Sequence, residues 1–333
     1  MLFRKAELSD LKECFGVVEA CKERMIQQGI FQWDELYPMI EDVEEDIRLN
    51  QLRVGIVDNK IIVIYALNES GEGYEVGNWE YDLPYYVIHR LCVHPDYQGN
   101  GIAKKVLRQI VKEALLQGKE SLRLDVFSKN PCAMNLYEHF GFQQVGEVEY
   151  RKGIFYLMEK KIGLETKRLY LRKGKFEDYL SIWKNVWCHE ETAKYMQWNV
   201  TLDEESAKDR MVRTMNFQKE HDMYFIYDKQ RNEAIGFAGI EEVREGVVSE
   251  MSIALGVDYV RQGLGKEVLE CLKEYARSIY EAKQFECACN KLNIASRALI
   301  EACGGVFMFE ENVLAHRDGS PYVLQHFVMN LEG

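Results

Sequence analysis

The chain lacks several features that would place it quickly. No uninterrupted apolar run approaches the about 18–20 residues of a membrane-spanning helix. Its opening, MLFRKAELSDL, has no basic end followed by an apolar stretch, so no signal peptide is expected. Nine cysteines are present, yet no CxxC pair exists. Cys287 and Cys289 come nearest, but they alternate with Ala288 on an expected strand, which is not zinc spacing. Free, mostly buried thiols, a cytoplasmic location and no metal are the expectation. A dense Lys/Arg block is also missing, and the formal net charge is −12. That argues against a nucleic-acid binder, which carries a basic stripe, and favours cationic partners such as amines.

What is present is enough for two ordinary domains. The 333 residues are 47% hydrophobic and 29% charged, a soluble globular balance. A repeat then sets the organisation. DYQGNGIAKKVL, from Asp96 to Leu107, aligns with DYVRQGLGKEVL, from Asp258 to Leu269. Gly101 falls on Gly263, Ala103 on Gly265 and Leu107 on Leu269. NPCAMNLYEHFGF (from Asn130) aligns with NIASRALIEACGG (from Asn293), and FRKAELSD (from Phe3) with LRKGKFED (from Leu171). Three landmarks in one order at a nearly constant offset indicate two copies of one domain. The joint is placed after Ile162, giving domains of residues 1–162 and 163–333.

Each copy alternates helix and strand signals. In the first, LSDLKECFGVVEAC reads as a helix. QLRVGIV and KIIVIYAL read as strands around a turn at Asp58-Asn59, and YYVIHRLCV as a third strand. Ile102, Val106, Ile110 and Ala114 then recur at helical spacing. SLRLDVF returns as a strand. Asn130-Pro131 opens another helix, with a capping side chain before a proline at the first helical position. The second copy follows with MYFIYD, AIGFAGI, SEMSIALGV, a helix through Leu264, Val268 and Leu272, the strand FECAC, and a helix from Asn293.

A glycine turn between a strand and a helix suits an anion. Glycine reaches positive φ without strain and lets backbone approach a ligand. The first N–H groups of a helix lack internal partners, and its dipole is positive there. Neither copy has the Gly-Lys-Ser/Thr of a P-loop, and QGNGIAKK lacks the third glycine of a dinucleotide fingerprint. Alone, the turn is equally a tight connection without a ligand.

The surrounding residues carry more. Gln98-Gly99-Asn100-Gly101-Ile102-Ala103 resembles the Q/R-x-x-G-x-G/A signature of the GNAT superfamily of N-acetyltransferases. Asn130-x-x-Ala133-x-x-Leu136-Tyr137-x-x-Phe140-Gly141-Phe142 resembles that family's next landmark. The resemblance spans the first copy. The second is similar to the branch acting on ribosomal-protein N-terminal alanines, through LETKRLYLR, IGFAGI, Gly263-Leu264-Gly265 and Asn293-x-x-Ser296-x-x-Leu299. The resemblance implies a tandem α/β (α+β) fold. Each domain is expected to be a twisted, mainly antiparallel mixed sheet with helices on both faces. It also implies acetyl-CoA as co-substrate and direct transfer of acetyl to an amine acceptor. Alternatives are one catalytic copy beside a CoA-binding or docking copy, or transfer of a longer acyl group. The acceptor, small molecule or protein amine, and the oligomeric state stay open.

Site residues follow from the same resemblance. Gln98 and the N–H groups of Gly99 to Ala103 hold the CoA pyrophosphate. Leu91 and Val93 bond the pantetheine arm through their backbones. An N–H there would also stabilise charge developing on the thioester carbonyl. Asn130 bonds the same arm or only caps its helix. Tyr137 protonates the departing thiolate, a reasonable transfer from a phenol of pKa about 10, or merely packs against Phe140 and Phe142. For the base, Ile88-His89-Arg90-Leu91 offers no carboxylate, leaving His89, or Glu80 acting through a water; a lone strand histidine such as His89 is more often structural. Trp33 and Trp79 line a substrate pocket or belong to the core. In the second copy Gly263, Leu264, Gly265 and Asn293 take the cofactor roles. Val260 replaces Gln98, Ile300 replaces Tyr137, and Gly305 replaces Phe142. Ser296 stands near the CoA sulfur or bonds back to its own helix. Glu250 is a further candidate base.

Overall fold

The computed structural model describes residues 1–332. The chain divides into two compact units. One comprises Met1–Ala114 and Lys119–Ile162; the other takes Leu115–Gly118 and the chain from Gly163 onward.

The first unit begins with strand β1 (Leu2–Lys5), helices α1 (Leu11–Gln27) and α2 (Ile40–Arg48), and strands β2 (Leu52–Val57), β3 (Lys60–Asn68) and β4 (Tyr85–Val93). Helix α3 (Ile102–Leu116), strand β5 (Ser121–Phe127) and helix α4 (Pro131–His139) follow. A hairpin of β6 (Gln143–Tyr150) and β7 (Gly153–Lys161) ends it. The sheet order is β1-β2-β3-β4-β5-β7-β6. Only the β4–β5 pair is parallel; every other neighbouring pair is antiparallel. Asp58 and Asn59 both take left-handed φ, 48° and 60°, which a two-residue hairpin needs to match the twist of its strands.

The sheet is covered on both faces, because β3 is buried without a break from Ile61 to Leu67. Helices α1 and α2 cover one face, where Val17, Val18, Val43 and Ile47 cluster with Leu52, Val54, Ile64 and Ala66. Arg53 points the other way across the pleat and pairs with Glu113 of α3 at 2.5 Å, which puts α3 on the opposite face.

One register detail positions the site. β4 and β5 pair only from Tyr85–Ile88 to Ser121–Leu124. Beyond Ile88 and Leu124 the two strands run on without pairing to each other, to Val93 and Phe127. A parallel ladder that stops mid-sheet leaves a gap walled by strand ends.

The second unit repeats the plan. It contains β8 (Leu164–Glu165), β9 (Leu169–Arg172), α5 (Tyr179–Ile182) prolonged by a π turn over Trp183–Trp187, α6 (Glu190–Ala193) and α7 (Glu204–Gln218). Strands β10 (Asp222–Asp228), β11 (Glu233–Arg244) and β12 (Val247–Leu255) precede α8 (Leu264–Ile279) and β13 (Gln284–Asn290). Helix α9 (Ile294–Ala302) and the hairpin β14 (Val306–Leu314) with β15 (Pro321–Asn330) complete it. Its sheet order is β14-β15-β13-β12-β11-β10-β9-β8. The parallel pair is β12–β13, again short, from Val247–Ser249 to Gln284–Glu286.

Sequence periodicity does not anticipate α2, α6, α7 or the closing hairpins. α2 buries only Val43, Asp46 and Ile47, too few apolar positions for a helical stripe. β14 is exposed at almost every position, so the alternation that marks a strand never arises.

A buried carboxylate ties the loop before β4 to the sheet. Glu159 on β7 is 1% exposed. It accepts hydrogen bonds from Arg123 Nε at 3.0 Å, Ser121 Oγ at 3.2 Å and the Glu80 N–H at 2.9 Å. Glu159→Ala removes one partner of a buried ion pair and leaves Arg123 uncompensated. It is expected to destabilise the first unit by about 3–5 kcal/mol, read as a lower midpoint in chemical denaturation.

Candidate active site

The gap between β4 and β5 opens into a cavity of about 1130 Å³. Leu91 and Val93 of β4 line it, with Asp125 and Val126 of β5, the glycine turn, and Asn130 and Tyr137 at α4. The segments 28–37 and 68–74 and the β6–β7 hairpin supply the remaining wall.

Two features of β4 free its backbone. A bulge lies opposite Tyr65: Ile64 pairs with Cys92 and Ala66 with His89, so Arg90 and Leu91 share one position on β3. Arg90 holds the left-handed φ of 48° that the bulge requires. Its guanidinium clamps the buried Asp46 of α2 with bonds of 2.7 and 2.5 Å and donates to the Tyr37 hydroxyl at 2.9 Å. Val93 is opposite Val63, one residue before His94, whose N–H donates to Ile62. The alternation of an antiparallel ladder therefore turns the N–H and C=O of Val93 away from β3. That carbonyl accepts from Gln98 Nε2 at 2.8 Å and from Cys21 Sγ at 3.2 Å.

The turn itself has the conformation an anion cradle needs. Gly99 and Gly101 have φ of 80° and 73°, and a Cβ at either would meet nothing within 4 Å. They are glycines because of backbone conformation and open space, not because a neighbour crowds them. Ile102 and Ala103 begin α3, whose first N–H groups face no intrahelical acceptor. Arg24 and Lys104 also line the cavity, Lys104 directly after the turn.

Most expected residues of the first copy meet here; others do not. Gln98 lines the cavity, but its carboxamide bonds Val93 and so braces the turn from within. Asn130 both caps α4, accepting from the Ala133 N–H at 3.1 Å, and donates to Gln32 Oε1 at 3.1 Å. Asn100 is exposed and off the cavity wall, its side chain turned to the Gln98 carbonyl. Glu80 is also off that wall; its peptide N–H is bonded to Glu159, and nothing brings it to the cleft. Trp33 is on the wall, whereas Trp79 stacks on Tyr74 in a core cluster. Tyr137 is buried, packs edge-on to Phe142 with centroids 5.7 Å apart, and has its phenol pKa pushed up by burial.

His89 is on the wall as a neutral imidazole. Its Nε2 faces two acceptors, Asn68 Oδ1 at 3.0 Å and the Ser70 carbonyl at 2.9 Å, so Nε2 carries the hydrogen. Burial, reinforced by the charge of Arg90, pushes its pKa down to about 4.

Sequence reasoning missed Asp125. It stands on β5 just past the last paired residue, Leu124, and accepts a 3.2 Å hydrogen bond from the Tyr74 hydroxyl. Burial raises its carboxyl pKa above the usual range. The signal was a lone acid near the end of the apolar strand SLRLDVF, but the gap that makes it accessible is a property of register.

The second unit has the same turn with other surroundings. Gly263 has φ of 78° and caps α8; Leu264 is buried as its first residue. A Cβ on Gly265 would come within 3.1 Å of Leu299, so this glycine lets α9 approach α8. Asn293 caps α9 through the Ser296 N–H at 3.1 Å. Ser296 stands beside Cys289. Glu250 lies at the bulge on β12, beside Cys287, and burial pushes its pKa up to about 7. Ile300 is buried, and Val260 is exposed.

Known proteins match both halves. The pattern described as "Acetyltransferase (GNAT) family" matches residues 21–142, and "Acetyltransferase (GNAT) domain" matches residues 168–306. The chain belongs to the GNAT acetyltransferases. It carries two such domains in tandem, so it is an acyltransferase that draws acetyl from acetyl-CoA. Similar proteins include an L-amino acid N-acyltransferase of Escherichia coli, 28% identical over 39% of this chain and 74% of that one. A thialysine N-epsilon-acetyltransferase of Mus musculus is 28% identical over 38% of this chain and 79% of its own length. Among solved structures, a GNAT-family acetyltransferase of Streptococcus agalactiae is 23% identical, with a TM-score of 0.45 over 48% of this chain and 94% of its own.

The first turn has the features of an anion cradle: two left-handed glycines, open space above them and a helix N-terminus with Lys104 in its first turn. Gly99→Ala forces an L-residue into the left-handed region at a cost of about 1–2 kcal/mol and puts a methyl group into that space. Weaker CoA binding by about tenfold, with a melting temperature lowered by only about 2–8 °C, is expected from calorimetry and thermal unfolding of the full chain.

Proposed function

We propose that residues 1–162 form a complete N-acetyltransferase in which Asp125 takes the proton of the acceptor amine and Tyr137 returns one to sulfur. The observation that carries this reading is the meeting of Asp125, Tyr137 and the glycine turn in one cavity at the point where β4 and β5 part. Acetyl-CoA supplies an activated thioester. The amine nitrogen forms the new N–C bond and the C–S bond breaks. Peptide groups of Leu91 and Val93, freed from the β3 ladder, are placed to bond the pantetheine arm and to stabilise negative charge on the acyl oxygen.

Two candidate bases line the cavity, and their environments separate them. His89 has Nε2–H committed to two acceptors, and a pKa of about 4 leaves it a poor proton acceptor at neutral pH. Asp125 is shifted the other way, towards the working pH, which favours a general base. Tyr137 stays protonated because burial raises its pKa, as a proton donor must. Gln98 contributes by bracing Val93 and the turn.

For the second domain, residues 163–333, we propose CoA binding at Gly263 and the α8 N-terminus. Ile300 supplies no phenol there, so Glu250 and Ser296 are its candidate reactive groups. The acceptor of the N-terminal site is a primary amine; the relatives include proteins named for amino-acid N-acylation and spermine acetylation, which supports an amine without selecting one.

Asp125→Asn should lower kcat by about 10²–10⁴ while CoA affinity in calorimetry stays near wild type. The base works only when ionised, so wild-type kcat/KM should rise with pH through a pKa above the usual carboxylate range. That limb should vanish in the variant. Tyr137→Phe should likewise reduce kcat without weakening CoA binding; unchanged turnover would return Tyr137 to a packing role. Calorimetry should find two CoA equivalents per chain, and a single equivalent would remove CoA binding from the second domain.

A further inference from the structure

Asp125 stands among phenols. Its charge is felt by Tyr37, Tyr74, Tyr137 and Tyr150, and Arg90 supplies the opposing charge. Most of these groups are engaged elsewhere. Arg90 is clamped on Asp46 and donates to the Tyr37 hydroxyl. The Tyr150 hydroxyl donates to the Glu72 carbonyl. Tyr137 packs edge-on to Phe142. Tyr74 is the phenol that donates to Asp125, with its hydroxyl 3.2 Å from Oδ2. Among the described residues no side chain donates to Oδ1.

The loop between β3 and β4 is built to hold that phenol. Tyr74 begins a short turn, Tyr74–Val76, and its side chain is buried against Val87 and Leu157. The Trp79 ring stacks on it at 5.3 Å, and Trp79 Nε1 donates to the Tyr74 carbonyl at 2.7 Å. Trp79 is fixed in turn. The Arg123 guanidinium lies 4.3 Å over its ring and is held by the buried Glu159, which also accepts the next peptide N–H, that of Glu80. Two glycines make room for the rings. A Cβ on Gly71 would come within 2.5 Å of the Tyr74 ring, and one on Gly77 within 2.6 Å of Trp79. Loop, ring and sheet thus converge on the place of one hydroxyl.

We propose that Tyr74 is a positioning residue for the transfer reaction: its hydroxyl holds Asp125 by Oδ2 and leaves Oδ1 to take the proton of the acceptor amine. This rests on the reading of Asp125 as the base. The amine N–H bond breaks and an Oδ1–H bond forms; Asp125 later returns that proton to water. Tyr74 keeps its own proton throughout, because burial pushes its pKa up and leaves it a donor only. The hydroxyl also acts on the charge of Asp125. Burial raises that carboxyl, and the Tyr74 bond pulls the other way, since a hydrogen bond to the ionised form favours it. Without the hydroxyl, Asp125 would stay protonated to higher pH and lose the contact that fixes its rotamer.

The test follows the Asp125 carboxyl in the full chain by NMR with isotopically labelled aspartate carboxyls. The resonance missing from Asp125→Asn identifies it, and its titration gives the pKa. Tyr74→Phe keeps the ring and removes the hydroxyl. It should move that pKa up by about one pH unit and carry the kcat/KM limb to higher pH with it, while CoA affinity in calorimetry stays near wild type. Gly71→Ala displaces the ring and should shift both in the same direction; it decides in place of Tyr74→Phe if that variant does not fold. Tyr150→Phe removes a neighbouring phenol bonded elsewhere and should shift neither. Turnover is read as free-thiol release with methylamine, spermidine and a peptide with a free N-terminus. Each acceptor's own pKa is common to all variants, so a moved limb belongs to the enzyme. An Asp125 pKa or a limb left in place by Tyr74→Phe would overturn the proposal, as would an equal shift in Tyr150→Phe, and the base reading would stand. A limb that persists in Asp125→Asn would instead remove Asp125 as the base, and this role of Tyr74 with it. Thiol release with no amine, despite CoA binding, would overturn the acetyltransferase reading itself.

Discussion

The site depends on a parallel ladder that stops early. β4 and β5 share four residue pairs and then continue alone. Backbone groups past that point cannot be satisfied by the neighbouring strand, and unsatisfied buried peptide groups are costly. The gap therefore favours a ligand able to bond extended backbone, and a pantetheine arm with its amides is one. The bulge at Arg90 and Leu91 acts in the same direction by withdrawing a second set of peptide groups from β3. The cleft is thus a consequence of pairing geometry before any side chain is considered.

A left-handed arginine in a strand needs support, since a non-glycine residue in that region is strained. Here the support is the clamp between Arg90 and Asp46, a buried carboxylate on α2, together with the Tyr37 hydroxyl. The same contacts anchor the segment after α1 to the bulge. Gln32 bonded to Asn130, and Asp34 bonded to Arg151 and Lys152, fasten that segment at two more points. The walls of the cleft are consequently held in one frame, the pre-organisation that positioning two reactants requires.

Duplication preserved the backbone device and changed the chemistry around it. Both domains have a short parallel pair, a bulge and a left-handed glycine before the helix. The phenol differs, and its packing partner differs with it. Tyr137 packs on Phe142, whereas a Cβ on Gly305 would come within 2.4 Å of Ile300. Ring against ring became branched aliphatic against glycine, each pair filling its own space. Gly265 similarly admits Leu299, a packing role that the first turn does not share.

The repeat, the strands and helices around each glycine turn, and the turn's suitability for a diphosphate were legible in the sequence, because they are local. Positive φ at Gly99 and Gly101 and the helix start at Ile102 follow from neighbours a few residues apart. So does the cap at Asn130, for which the sequence left both capping and binding open and the structure shows capping. The proposed base was not legible: sequence reasoning offered His89 and Glu80, while Asp125 reads as one polar residue in an apolar strand. Its accessibility depends on where the β4–β5 ladder ends, and the upward shift of its pKa on burial by segments far along the chain. The charge pairing around the cavity was equally hidden, because Arg90, Arg151 and Lys152 count as free cations until their partners Asp46 and Asp34 are brought to them. Sequence alone determined the domain type and its donor, through short-range backbone chemistry. Only tertiary structure decided which acids and cations face the cleft, since charge pairing and burial are set by contacts between residues distant in the chain.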